Sequence, residues 1–243
     1  MSDDALTLAN ESWYGYGRWD CDYWFVGMEP GGEDTHSSYE AWIALDARRI
    51  GLIDCRAHHL WKRDVLAIED RKWTRWHEER PGRRTQPTWR RLIQTLFAFQ
   101  GKDADLDDVY RYQKYCLGSL DGETAVVELG ALHAPGLSTK VDRETFRQAR
   151  IHRLHEKLAE EKPIFALCYG LGFRKQFEGV VGSVFDGSGF TWCGPTLCVL
   201  TPGPTSHLSG KPAPWAKAAW WVEKGREMRR RVAASTNARA GRL

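Results

Sequence analysis

The most chemically suggestive stretch of this chain is a trio of carboxylates around a pair of glycines. Tyr23-Trp24-Phe25-Val26 reads as a short buried strand, and Gly27, Pro30, Gly31 and Gly32 then turn the chain sharply where Glu29, Glu33 and Asp34 arrive. The strand fixes the position of Glu29, Pro30 stiffens the turn, and the glycine pair lets backbone N–H groups approach a substrate unobstructed. A carboxylate held in a water-poor pocket opposes positive charge that develops as a bond breaks. The same pattern also describes an ordinary strand-to-loop turn with solvated acids.

A second stretch completes a pair. Pro195 to Leu200 reads as another buried strand and runs into Thr201-Pro202-Gly203-Pro204-Thr205-Ser206-His207-Leu208-Ser209-Gly210. One loop near the amino end and one near the carboxyl end resemble the uracil-DNA glycosylase superfamily, over roughly residues 20 to 225. That superfamily carries a G-[QE]-[DA]-P-[YG] loop after its first strand and an H-P-S-P-like loop after its last. Here they read Gly27-Met28-Glu29-Pro30-Gly31 and Thr201-Pro202-Gly203-Pro204, with Met28, Glu29, Thr201 and Gly203 as the departures.

The resemblance implies roles. Glu29 takes the slot of an aspartate that orients water and stabilises the sugar cation left when an N-glycosidic bond breaks; Glu33 and Asp34 are second choices, one of them a water-positioning partner. Met28 removes side-chain polarity from the base pocket. Thr201 replaces a histidine that supports the leaving base's oxygen, and His207, six residues on, is placed to compensate. Residues Thr205 to Ser209 match the part that pushes into the duplex to hold a flipped nucleotide out. The ring that stacks on that base is expected at Tyr39, then Trp89, then Trp42. Aligning Val126-Val127-Glu128-Leu129 with the second-strand motif puts Glu128 where relatives have a base-reading asparagine.

Glutamate changes what can be read there. An ionised carboxylate only accepts hydrogen bonds, so it suits the amino group of a cytosine ring and repels the carbonyl that uracil offers at the same edge. The expected activity is therefore that of a monofunctional DNA glycosylase excising a modified cytosine. Hydroxymethylated or glucosylated cytosine, as in phage genomes, is the favoured base, which makes the chain resemble bacterial glycosylases that defend against such phages. Alternatives stay open: a uracil or damaged-base repair glycosylase, a non-catalytic nucleic-acid-binding relative, or a metal-dependent hydrolase of nucleotides or other small molecules. Glu128 equally reads as a structural carboxylate turned toward a helix end or an arginine.

Composition sets outer bounds. The 243 residues suffice for one α/β domain, 1–243, and no linker-like stretch divides them. Net charge is only +3, so a case for nucleic acid rests on distribution. Arg71, Lys72, Arg75, Arg80, Arg83, Arg84, Arg90 and Arg91 interleave with Trp73, Trp76 and Trp89, which suits phosphates and unstacked bases and also suits a plain solvated face. DNA contacts are expected from Arg83, Arg84, Arg90 and Lys211, and from Gly31, Gly32, Pro202, Gly203, Pro204, Thr205, Ser206 and Ser209 in the two loops. No apolar run approaches the roughly 18 residues of a membrane span, and the acidic start is unlike a signal peptide. A cytoplasmic monomer whose partner is DNA is expected. Cysteines 21, 55, 116, 168, 193 and 198 include no C-x-x-C pair and read as reduced, incidental thiols, with no cofactor and no metal. His58, His59 and His77 read as surface or capping residues.

Four near-continuous apolar strands, at about 23–27, 124–130, 164–170 and 195–200, alternate with helices at 37–49, 87–99, 105–117, 142–161 and 214–232. Such alternation predicts a three-layer α/β/α sandwich around a central, mainly parallel four-stranded sheet. Residues 1–19 read as a lead-in broken by Gly15 and Gly17, and 233–243 as a disordered basic tail. Trp215, Trp220 and Trp221 read as core residues of the last helix. Ligands belong at the carboxyl ends of the strands, where Glu29, Glu128 and Thr201 fall.

Overall fold

The computed structural model describes residues 11–28, 51–66, 85–130, 143–204 and 214–240. Seven strands are described: β1 (Trp13–Tyr16), β2 (Tyr23–Gly27), β3 (Gly51–Ile53), β4 (Thr124–Glu128), β5 (Phe165–Tyr169), β6 (Phe190–Cys193) and β7 (Thr196–Thr201). They form one sheet in the order β3-β1-β4-β2-β5-β7-β6. The inner four, β4, β2, β5 and β7, are parallel throughout and are the strands legible as apolar runs.

The sheet is larger and more mixed than the sequence predicts. β1 pairs antiparallel with β4 and parallel with β3, while β6 folds back antiparallel on β7. β1 lies in the stretch read as a broken lead-in, and its glycine is what allows the strand. Gly15 takes φ +132°, and a Cβ there would run into the carbonyl of Val126 on the neighbouring strand.

Six α-helices are described: α1 (Cys55–Leu66), α2 (Pro87–Gln100), α3 (Leu106–Tyr115), α4 (Arg143–Glu161), α5 (Arg174–Val181) and α6 (Ala218–Ala240). The ends of α2 are set locally. The Gln86 side chain accepts the Trp89 N–H at 2.6 Å, Pro87 fills the first turn, and Gly101 closes the helix in the left-handed region. Asp105 and Asp108 form a reciprocal capping box that starts α3. α6 carries on through residues read as a disordered tail, ending at Ala240 rather than near 232. Its arginines and alanines are good helix formers, and Glu227 with Arg231 at 3.3 Å adds a pair one turn apart.

Strand alternation splits the core in two. Phe25, Val126, Leu167 and Val199 face Leu92, Ile93 and Leu96 of α2 and Trp221 and Met228 of α6. Trp24, Val26, Val127, Cys168 and Leu200 face Ile151, Leu154 and Leu158 of α4 and Phe177 and Val181 of α5. The sheet is thus covered on both faces, and its chemistry is confined to its edges. Among the described residues no helix is long and apolar enough to cross a membrane.

Trp221 carries the α2–α6 layer. It is fully buried and its indole N–H donates to the Trp215 carbonyl at 2.7 Å. Trp221→Ala should lose about 3–5 kcal/mol of stability, read from the midpoint of urea unfolding. An unshifted midpoint would show that the layer does not depend on this ring.

Candidate active site

The strand order creates a switch point. After β2 the chain forms β3 at the sheet edge, then β4 on one side of β2 and later β5 on the other, so the carboxyl ends of β2 and β5 border the crevice where α/β sheets hold ligands. Gly27 is in register with Glu128, Val26 with Cys168, and Tyr169 with Thr201. Glu128, Gly27, Tyr169 and Thr201 therefore form one row across the carboxyl edge, directed to the α2–α6 side.

Two side chains meet in that row. The Tyr169 hydroxyl crosses over β2 and donates to Glu128 Oε1 at 3.4 Å. Gly27 makes this possible, because a Cβ at that position would overlap Glu128 Oε2 and the Tyr169 hydroxyl. Burial, and then the charge of Glu128, push the Tyr169 phenol well above its ordinary range, so it stays protonated and keeps donating. Glu128 is only 6% exposed.

Arg150 secures the same edge from the opposite face. It is 1% exposed, and its guanidinium donates to the carbonyls of Trp13 at 2.8 Å, Glu128 at 2.7 Å and Leu129 at 3.0 Å. The group also lies 4.2 Å from the ring centroid of Tyr14. Burial lowers its pKa to about 10, with Tyr14 and Glu128 acting in the other direction, so it remains charged near neutrality. Neither Tyr169 nor Arg150 stands out as functional in the sequence reading, where one belongs to a buried strand and the other to a charged helix. For Arg150 a signal exists: it falls on the i, i+4 stripe of Phe146, Leu154 and Leu158, among apolar positions.

The other expected residues are placed differently. Thr201 is fully buried, and its hydroxyl donates to the Cys168 carbonyl at 3.2 Å, so it is committed to backbone. Met28 packs into the core on the α4–α5 side, facing away from Glu128, because side-chain alternation continues past Gly27. Its carbonyl accepts the Gly130 N–H at 2.8 Å, which pins the chain one residue before Glu29. Pro202 and Pro204 are buried and Gly203 half-buried just beyond β7. Trp89 packs against the α2–α6 core with its ring 5.9 Å from that of His59, and Arg90 is half-buried beside it. Glu29, Glu33, Asp34, His207, Tyr39, Trp42, Gly31, Gly32, Arg83, Arg84, Thr205, Ser206, Ser209 and Lys211 lie outside the described residues.

His58 and His59 are not surface residues. Both are buried beneath β1, with His59 Nε2 3.3 Å from the Tyr16 hydroxyl and its Nδ1 3.6 Å from the Cys55 thiol. The rings of His58 and Trp61 stack at 6.1 Å, so packing accounts for this cluster. Among the described residues no group of three or more His, Cys, Asp and Glu is arranged to hold a metal ion.

In comparisons with known proteins, no family model matches the chain, and no curated protein matches it at a level that marks a relative. The site is therefore read from its chemistry. Arg150→Met should cost roughly 3–5 kcal/mol in urea unfolding, since three carbonyls lose a charged donor. Arg150→Lys should recover only part of this, because an ammonium lacks the planar fork. Full recovery by lysine would mean that charge alone, and not the donor geometry, holds the edge.

Proposed function

We propose that the protein is a monofunctional DNA glycosylase that flips out and excises a modified pyrimidine, leaving an abasic site. The favoured base is a hydroxymethylated or glucosylated cytosine of phage DNA, and the role is antiviral defence. The observation that carries this reading is Glu128. It is a nearly buried carboxylate at the switch point, oriented by a tyrosine that crosses a glycine to reach it. An ionised carboxylate only accepts hydrogen bonds, which suits the exocyclic amino group of cytosine.

Hydrolysis needs a second carboxylate. Glu29, next in sequence after the pinned Met28, is assigned to oppose positive charge on the sugar as the C1′–N1 bond breaks. The bonding electrons leave with the base, water adds to C1′, and its released proton restores charge balance as the base is protonated. The Thr201 hydroxyl is occupied by the Cys168 carbonyl, so support for the base oxygen falls to His207. No metal enters this scheme. Contacts to DNA outside the pocket are assigned to Arg90 and the loop from Pro202 onward, with a monomer as the acting unit.

The test is single-turnover base release in chelator from matched oligonucleotides carrying uracil, cytosine and glucosylated hydroxymethylcytosine. The cytosine derivative should be cleared and uracil left, and Glu29→Gln should slow release by about a hundredfold or more while retaining DNA binding. Clearance of uracil with neglect of every cytosine derivative would make the enzyme a repair glycosylase. Unchanged cleavage by Glu29→Gln would remove that residue from the mechanism, and binding without any base release would leave a nucleic-acid-binding relative.

A further inference from the structure

At the opposite end of the sheet, α2 and α6 border an open cavity of about 520 Å³. Its position follows from its neighbours. Phe99 packs 5.8 Å from Tyr23, the first residue of β2, and the Gln100 amide donates to Glu123 just before β4. The cavity therefore opens at the amino edge, away from Glu128, and is independent of the reading given for that site.

Lys102, Arg226, Arg229 and Arg230 all line it. Arg226, Arg229 and Arg230 are spaced to share one face of α6, and Glu223 is the carboxylate that Arg226 and Arg230 approach, at 3.8 and 2.9 Å. Arg229 has no carboxylate partner among the described residues, and its guanidinium rests against Gly101 at the end of α2. Four cations face two acids, Glu223 and Asp103. Guanidinium groups a turn apart on one helix face can offer an anion several charged donors at once.

The rest of the lining is not that of a bare phosphate site. Phe97, Ala98, Ala104 and Val222 provide an apolar floor. Gln94 and Asp103 add a donor and an acceptor, the amide oxygen of Gln94 being already taken by Arg91 at 2.9 Å. An apolar floor with a few polar groups and a volume in the range of about 300–1,000 Å³ is the usual form of a small-molecule site. We infer that this cavity binds a nucleoside phosphate. The base lies on the apolar floor with its edge toward Gln94 and Asp103, and the phosphates are held by Arg226, Arg229 and Lys102.

Calorimetric titration of the full chain with ADP, with inorganic pyrophosphate and with a short single-stranded oligonucleotide tests the inference. ADP should bind at one site, more tightly than pyrophosphate, and the double variant Arg226→Ala and Arg229→Ala should weaken it at least tenfold. These side chains are exposed on a helix where alanine is favourable, so circular dichroism should show an unchanged fold. Arg153→Ala, exposed on α4, serves as the control and should bind as wild type. The inference is overturned if ADP does not bind at millimolar concentration or if the double variant binds it as well as wild type. Pyrophosphate binding equal to ADP, or binding of the oligonucleotide alone, overturns it too.

Discussion

A buried cation, Arg150, organises the carboxyl edge of this sheet. Where strands end, backbone carbonyls run out of ladder partners, and a buried carbonyl left unmade costs about as much as a lost hydrogen bond. Arg150 gathers three such carbonyls, from Trp13, Glu128 and Leu129, and so ties α4 to the ends of β1 and β4 in one fixed geometry. Removing a guanidinium from water is costly, and the depressed pKa records that cost. The hydrogen bonds, the Tyr14 ring and the Glu128 carboxylate offset it together.

Glu128 is consequently held on both faces of the sheet. Its carbonyl is fixed by Arg150 from the α4 side, and its carboxylate is fixed by Tyr169 on the α2–α6 side, across the space left by Gly27. A charged group restrained in this way need not reorganise when a ligand arrives, which is the condition under which an electrostatic or hydrogen-bonding site is most effective. The surrounding strands are apolar on both faces, so the row formed by Glu128, Gly27, Tyr169 and Thr201 concentrates the sheet's polar chemistry at the switch point.

The sequence carries the four inner strands and the bounds of α2, α3 and α4 because uninterrupted apolar runs and capping residues are local signals; it carries neither α1 nor α5. It does not carry β1, β3 and β6, which are three or four residues long; β1 also contains a glycine that ordinarily breaks a strand. Glu128 is legible as a polar residue ending an apolar strand. Tyr169 is not, since its partner is set by register between strands far apart in sequence. Met28 illustrates the reverse, for Trp24, Val26 and Met28 share a parity and alternation alone places it in the opposite core. The buried histidines were obscured because their burial comes from β1, a strand that the sequence hides. The extended α6 shows helix propensity prevailing where arginine content suggested a loose tail.

The claim that Glu128 reads an exocyclic amino group is tested most directly by one ratio. Base-release efficiency, kcat/KM, is measured on two otherwise identical oligonucleotides, one with 5-hydroxymethylcytosine and one with 5-hydroxymethyluracil, so that only the 4-amino and 4-oxo groups differ. Wild type should favour the amino base by about fivefold to a hundredfold or more, the worth of roughly 1–3 kcal/mol of hydrogen-bond discrimination. Glu128→Asn, with a reversible amide, should abolish or invert the preference. A wild-type preference for the oxo base, or a ratio unchanged by Glu128→Asn, would contradict the claim.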